Sequence, residues 1–197
     1  MGVVLKQVGV SLLLSYAFGR LFASSLAIVW TIVVSFVVIY GSIRTCWMEL
    51  PGKNPTTGKI PFMRVLLFLP YYGAVFLLMI GGKFLSVIRS WSSVDQILPG
   101  IYLGDFYSSF LSTKKWVGVV DLTNELPRLS NSKNYLNIPA WDGCPPTVEN
   151  IERAVNFVIS GEKPVLIHCA YVNMSVFITI RLGTAKAEAL PLPVPFF

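Results

Sequence analysis

The stretch PVLIHCAY, residues 164–171, decides how the second half of this chain is interpreted. A short aliphatic run after a proline predicts a buried strand, and that strand ends in His168 and Cys169. In α/β sheets, the loops that follow the carboxyl ends of the strands carry the functional site. A cysteine at that place is a candidate nucleophile, although a buried cysteine is also commonly a small apolar core residue.

The segments upstream of this strand predict an α/β sheet, because strand and helix patterns alternate. Pro99-Gly100 between two short apolar runs predicts a β-hairpin. A helix is predicted from the N-cap Thr147 to Gly161, because apolar residues between them recur at helical spacing. The other predicted elements are strands at 96–98, 101–104, 116–121, 134–138 and 164–168, and a short helix from Asp105 to about Leu111.

The composition points to a membrane protein. Hydrophobic residues make up 54% of the chain, charged residues only 13%, and the mean hydropathy is +0.64. Residues 1–86 carry seven Lys or Arg and one acid, so the whole net charge of +6 belongs to the first half. These basic residues flank apolar spans and form no stripe, which favours anionic lipid headgroups as the partner and disfavours nucleic acid.

Residues 1–86 are predicted to be the membrane region. The span 22–43 has an uncharged interior that is long enough for a hydrocarbon core of about 30 Å. The span 65–82 is similarly apolar but contains Pro70, so it either crosses with a kink or is re-entrant. Residues 7–19 are short, and whether they form a hairpin helix or lie in the interface is left open.

The loop 44–64 bears on orientation, because its four basic residues favour the cytosolic side. One further crossing at 65–82 would then place the following domain outside. The three cysteines predict no disulfide framework and no metal site, so a reducing compartment is expected. Cys46 is interpreted as an unmodified cysteine or a palmitate acceptor, and Cys144 as a structural residue. No metal and no cofactor is expected.

Four motifs occur in the order typical of one enzyme family: ILPGIYLGD (97–105), VVDLTNE (119–125), NIPAWDGCPPTVENIERAVNFV (137–158) and PVLIHCAY. Together they resemble a dual-specificity phosphatase domain of the cysteine-dependent phosphatase superfamily. Joined to N-terminal spans, the chain resembles the membrane-anchored members described in plants. The resemblance implies N-terminal transmembrane α-helices in residues 1–86 and an incomplete α/β cysteine-phosphatase-like domain in residues 87–171. Residues 172–197 then form a divergent tail.

The resemblance also implies roles for particular side chains. Cys169 corresponds to the nucleophile that forms a phosphocysteine intermediate, and His168 to the residue that orients the phosphate-binding loop. Asp142 matches the aspartate of a movable loop that protonates the leaving group, with a solvated turn residue as the alternative. The loop after the strand at 116–121 either lines the same cleft or merely forms a turn, with Asp121, Asn124 and Glu125 as its candidates.

The chain departs from the family pattern after Tyr171. The signature H-C-x5-R requires an arginine at position 175, where this chain has Ser175, and no glycine occurs between Tyr171 and Gly183. The arginine grips phosphate bidentately, and glycines let loop N–H groups point inward. We therefore expect a catalytically impaired phosphatase, whose substrate would be a phosphoprotein or a phosphoinositide. The alternatives are a non-enzymatic membrane-anchored binding or scaffold protein and a nonfunctional truncated isoform.

Overall fold

The computed structural model describes residues 25–88, 94–141, 144 and 146–170, together with residues 6, 9, 10, 12, 13, 16 and 17. The predicted helix at 7–19 therefore lies largely outside the described residues, and the predicted tail at 172–197 lies wholly outside them. Two compact units interleave along the chain. The helical unit comprises Met1–Ser93, Thr123–Arg128 and Pro139–Pro145, and the sheet unit comprises Val94–Leu122, Leu129–Ile138 and Pro146–Phe197.

The sheet unit contains a five-stranded sheet in the order β1-β2-β5-β3-β4. β1 and β2 form the predicted antiparallel hairpin, and β2, β5, β3 and β4 pair in parallel. Gly100 in the hairpin turn has φ +75°, a backbone angle that favours glycine. The mixed α/β sheet predicted from the sequence is confirmed, with strands β1 Val94–Leu98, β2 Ile101–Gly104, β3 Gly118–Asp121, β4 Asn134–Asn137 and β5 Val165–His168.

The sequence indicated Thr147 and Asp105 as helix caps. Thr147 caps its helix, whereas the helix after Asp105 has Tyr107 at its N-cap position. In α5, Val148–Ser160, the Thr147 hydroxyl accepts a hydrogen bond from the Asn150 N–H at 3.3 Å. In α4, Ser108–Leu111, the Asp105 carboxylate accepts from the Ser108 N–H at 2.8 Å. That helix begins later than predicted, because the chain first makes a turn after Asp105. Buried side chains of α5 pack against one sheet face, where the core includes Val120, Ala154, Val155, Val158, Val165 and Ile167.

The helical unit contains α1 Ser25–Ile39, which continues as a π-helical turn Tyr40–Arg44, followed by α2 Phe62–Leu67 and α3 Leu69–Ile88. Within the predicted span 22–43, the structure has an α-helix over Ser25–Ile39 and a π-helical turn after it. The span predicted at 65–82 is helical but interrupted at Phe68, whose φ of −101° leaves the helix. Pro70 then lies in the first turn of α3, where its missing N–H costs no helical hydrogen bond.

The expectation of several membrane-spanning helices is not met among the residues that the model describes. A single window, Ser25–Ser42, is long and apolar enough to cross a membrane by length and composition. The apolar part of α3, Leu69–Phe84, is shorter. Membrane insertion of α1 therefore remains a proposal, since core helices and signal sequences can share this composition.

The interpretation of Cys46 as an unpaired cysteine is wrong, and the cysteines no longer support the expected reducing compartment. Cys46 and Cys144 form a disulfide whose Cα atoms are 5.9 Å apart, within the helical unit. The two cysteines are separated by 98 positions, so chain spacing could not reveal the pairing. Cys144 is structural, as interpreted, whereas Cys46 is neither unmodified nor a palmitate acceptor. Beside the disulfide, the Trp141 indole N–H donates to the Trp47 carbonyl at 3.0 Å.

Candidate functional site

Cys169 follows directly after β5. Because β5 lies between β2 and β3 in the sheet, the cysteine emerges between those two strands. In the parallel register His168 lies opposite Gly104 of β2 and Asp121 of β3. The Leu122 N–H donates to the His168 carbonyl at 2.9 Å, which holds the ends of β3 and β5 at the same level. The cysteine therefore sits at the carboxyl edge of the parallel part of the sheet, where α/β proteins place their sites.

Burial of the thiol is nearly complete, since Cys169 is 4% exposed. It belongs to the apolar cluster that also contains Leu122 and Ile138. Among the described residues, the position matches that of a nucleophile while the environment is that of a core cysteine.

His168 and Asp121 lie near each other at the ends of β5 and β3. His168 Nε2 lies 3.9 Å from Asp121 Oδ1, which is too long for a hydrogen bond. Both residues are buried, at 2% and 1% exposure. The Phe106 ring lies against the imidazole, with ring centroids 6.2 Å apart. An ion pair would form across this gap only with a protonated histidine.

Asp121 is hydrogen-bonded, through its carboxylate and its backbone carbonyl, by residues of β4 that sequence reasoning missed. The Tyr135 hydroxyl donates to Asp121 Oδ2 at 2.7 Å, and the Asn137 side-chain amide donates to the Asp121 carbonyl at 2.9 Å. Tyr135 and Asn137 are two positions apart on β4, so their side chains share one face of the sheet. Two polar residues at this spacing in a predicted strand were the sequence signal that one face of β4 carries hydrogen-bonding groups. Their partner became apparent only from the parallel register of β3 and β4.

Asn124 and Glu125 belong to the helical unit, within its segment Thr123–Arg128, whereas Asp121 belongs to the sheet unit. Both are buried, and the Asn124 N–H donates to Glu125 Oε2 at 3.2 Å. Lys53 anchors this segment, with its ammonium donating to the Thr123 carbonyl at 2.9 Å. The Asn124 side-chain nitrogen has no hydrogen-bond partner among the described residues.

Asp142 lies outside the described residues, so its role as the general acid stays a prediction. Its described neighbours Trp141 and Cys144 are joined by a hydrogen bond from the Cys144 N–H to the Trp141 carbonyl at 2.9 Å. No three His, Cys, Asp or Glu side chains converge as metal ligands within the described part of the chain.

Comparison with known proteins leaves the family open. No protein-family model matches the chain, and no curated protein matches it. Among solved structures, a similar chain is a Shewanella putrefaciens CN-32 protein described as a "Putative phosphatase (DUF442)". It is 18% identical, with a TM-score of 0.39, over 50% of this chain and 75% of that one. A likeness of this extent carries no argument about the activity of this chain.

Proposed function

We propose that this chain is a membrane-anchored, dual-specificity-type cysteine phosphatase by descent, with a site whose turnover is severely impaired. The observation that carries the proposal is the placement of Cys169 immediately after the strand between β2 and β3, beside the buried His168 and Asp121. A thiolate at that edge would attack the phosphorus of a phosphomonoester and release the alcohol. Water would then hydrolyse the phosphocysteine. Asp142 is proposed to protonate the leaving oxygen and His168 to orient the loop.

Impairment is proposed because the chain has Ser175 where the phosphate-gripping arginine belongs. Losing one preorganised donor to the transition state typically costs about 10²–10³ in rate. The absence of loop glycines between Tyr171 and Gly183 removes a second source of stabilisation. Burial of Cys169 adds to the effect, because it restricts the access of a phosphomonoester to the sulfur.

The proposed anchor is α1, whose window Ser25–Ser42 would cross the bilayer once. Membrane lipids are then the constant partner, and a phosphoprotein or a phosphoinositide the substrate class. We propose that the phosphatase-like domain faces the cytosol, because the loop between α1 and α2 carries Lys53 and Lys59. Persistence of the Cys46–Cys144 disulfide in native membranes would overturn this orientation, because cytosolic thiols are kept reduced.

Hydrolysis of p-nitrophenyl phosphate by the full chain in mild detergent tests the proposal. The comparison uses the unmodified chain, its Cys169→Ser variant, and a repaired chain in which residues 170–175 become a glycine-rich loop ending in Ser175→Arg. Silence from the unmodified chain with activity from the repaired chain supports the proposal. The repaired chain carrying Cys169→Ser is the control and should be inactive.

Two other outcomes decide against parts of the proposal. Turnover by the unmodified chain that is lost in Cys169→Ser would mean that the site is competent and that another group replaces the arginine. Silence from both the unmodified and the repaired chain, each shown to be folded, would mean that the sheet unit is not a phosphatase scaffold.

Burial of Cys169 favours a second candidate, a membrane-anchored binding protein without turnover. Such a protein would retain a phosphate-bearing ligand unchanged. Equilibrium binding of phosphotyrosine to the full chain, measured by calorimetry alongside the hydrolysis assay, separates the two. Binding without hydrolysis, unaffected by Cys169→Ser, would favour the binding function.

A further inference from the structure

The loop between α1 and α2 is bonded to segments that come much later in the chain. The disulfide joins Cys46 in this loop to Cys144. The Trp141 indole N–H donates to the Trp47 carbonyl at 3.0 Å. Residues 46 and 47 precede α3, whereas residues 141 and 144 follow it, and all four belong to the helical unit.

A second set of bonds connects the same loop to the segment Thr123–Arg128. The Arg128 N–H donates to the Gly58 carbonyl at 2.8 Å. The Lys53 ammonium donates to the Thr123 carbonyl at 2.9 Å and to the Thr123 hydroxyl at 3.0 Å. Contacts of this length cannot bridge a hydrocarbon core of about 30 Å. The loop and both later segments therefore lie on one side of any membrane that holds α1.

In the sequence, α3 lies between the loop that follows α1 and the later segments to which that loop is bonded. It runs from Leu69 to Ile88, and residues 94–122 then lead to Thr123. Among the described residues, the single helix long and apolar enough to cross is α1, and none lies in 94–122. The five residues 89–93 are too few to cross. A crossing by α3 would leave the chain on the wrong side at Thr123, with no later segment to bring it back.

We propose that α3 does not cross the membrane but lies in the leaflet on the side of the loop between α1 and α2, and that α1 is the one described helix that crosses. This inference rests on the proposed anchoring by α1. α3 has 20 residues, Leu69–Ile88, or about 30 Å at about 1.5 Å per residue, so its length alone would permit a crossing. The bonds from the loop to Thr123, Arg128 and Trp141 are what argue against it.

The surface of α3 identifies acyl chains as its surroundings. One face, with Tyr71, Val75 and Met79, is buried within the helical unit. The opposite face is exposed and equally apolar, and carries Phe76, Leu77, Ile80 and Phe84. A surface helix in water would carry polar residues there. The break at Phe68 separates α3 from α2 and allows α3 its own direction.

Cysteine accessibility in sealed membrane vesicles tests the topology on the full chain. Single substitutions place a thiol before α1 (Lys6→Cys), in the exposed loop (Thr56→Cys) and on the exposed side of α5 (Glu152→Cys). Each is labelled with a membrane-impermeant maleimide before and after permeabilisation. The unsubstituted chain reports the background from its own cysteines. We expect Thr56→Cys and Glu152→Cys to behave alike, either both labelled before permeabilisation or both labelled only after it. Lys6→Cys should show the opposite behaviour.

Failure of the topology and failure of the anchoring give different results. Labelling of Thr56→Cys and Glu152→Cys from opposite sides would show that α3 crosses, and would overturn the inference while leaving the anchor intact. Release of the chain by alkaline carbonate would overturn the anchoring by α1. Labelling of Lys6→Cys from the same side as the other two would mean an even number of crossings between Lys6 and Thr56, and would overturn a single crossing before the loop.

The lipid contact of α3 has its own test. A fluorophore on Ile80→Cys should be quenched by nitroxide-labelled lipids in vesicles of neutral phospholipid, whereas one on Thr56→Cys should not. Oxidative cross-linking of two chains through Ile80→Cys would instead place a second copy on this face, and absence of quenching would place it outside the bilayer. Either result overturns the assignment of acyl chains.

Discussion

The hydrogen bond between Tyr135 and Asp121 permits a quantitative prediction, because Tyr135→Phe removes only the hydroxyl. The ring remains, so apolar burial is unchanged, while Asp121, at 1% exposure, loses a donor that lies 2.7 Å from its carboxylate. A hydrogen bond to a charged group contributes about 1.5–3 kcal/mol. We expect the free energy of unfolding to fall by about that amount, since a buried carboxylate is poorly compensated by water.

The measurement is denaturant unfolding of the full chain in mild detergent, followed by tryptophan fluorescence, since Trp116 is buried in the sheet unit. Tyr102→Phe is the matched control, because the Tyr102 hydroxyl makes no hydrogen bond with a described residue while its ring packs on Trp116. It should change the free energy by no more than about 0.5 kcal/mol, the range of neutral substitutions.

A loss below about 0.5 kcal/mol in Tyr135→Phe would refute the reasoning, because substitutions away from a specific interaction fall in that range. A double-mutant cycle with Asp121→Asn then separates the pair from its surroundings, with an expected coupling of about 0.5–3 kcal/mol. A sloping, non-cooperative transition in the unmodified chain would favour the alternative of a nonfunctional product without a packed core.

Three further predictions concern caps, turns and the disulfide. Thr147→Ala should lower the free energy of unfolding by about 1 kcal/mol through loss of the α5 cap, while Thr147→Ser should retain it. Gly100→Ala should lower the thermal midpoint, because φ is +75° there, whereas Gly73→Ala has open space and should not. In the purified, unreduced chain, Cys46 and Cys144 should react with maleimide only after treatment with a dithiol, as measured by mass spectrometry. Reaction of these two cysteines without the dithiol would exclude the disulfide.

Sequence alone determined the features whose causes lie within a few residues of one another. The helix cap at Thr147, the turns at Asp105 and Gly100 and the helix break before Pro70 each depend on neighbouring backbone groups. The buried run 165–168 predicted a strand, and its end predicted where Cys169 would emerge. Local hydrogen bonds and hydrophobic periodicity act over short stretches of chain, so these elements could be predicted without knowledge of the fold.

Only the tertiary structure decided which distant residues meet. The strand order placed β5 beside β3, and the register brought His168 level with Asp121. Pairing with β4 supplied Tyr135, which no local pattern marked as a partner. The disulfide across 98 positions and the assignment of Asn124 to the helical unit likewise depend on contacts that chain spacing does not encode. Such contacts form because the packing of whole elements selects one register and one order, and neither is specified by any single stretch of sequence.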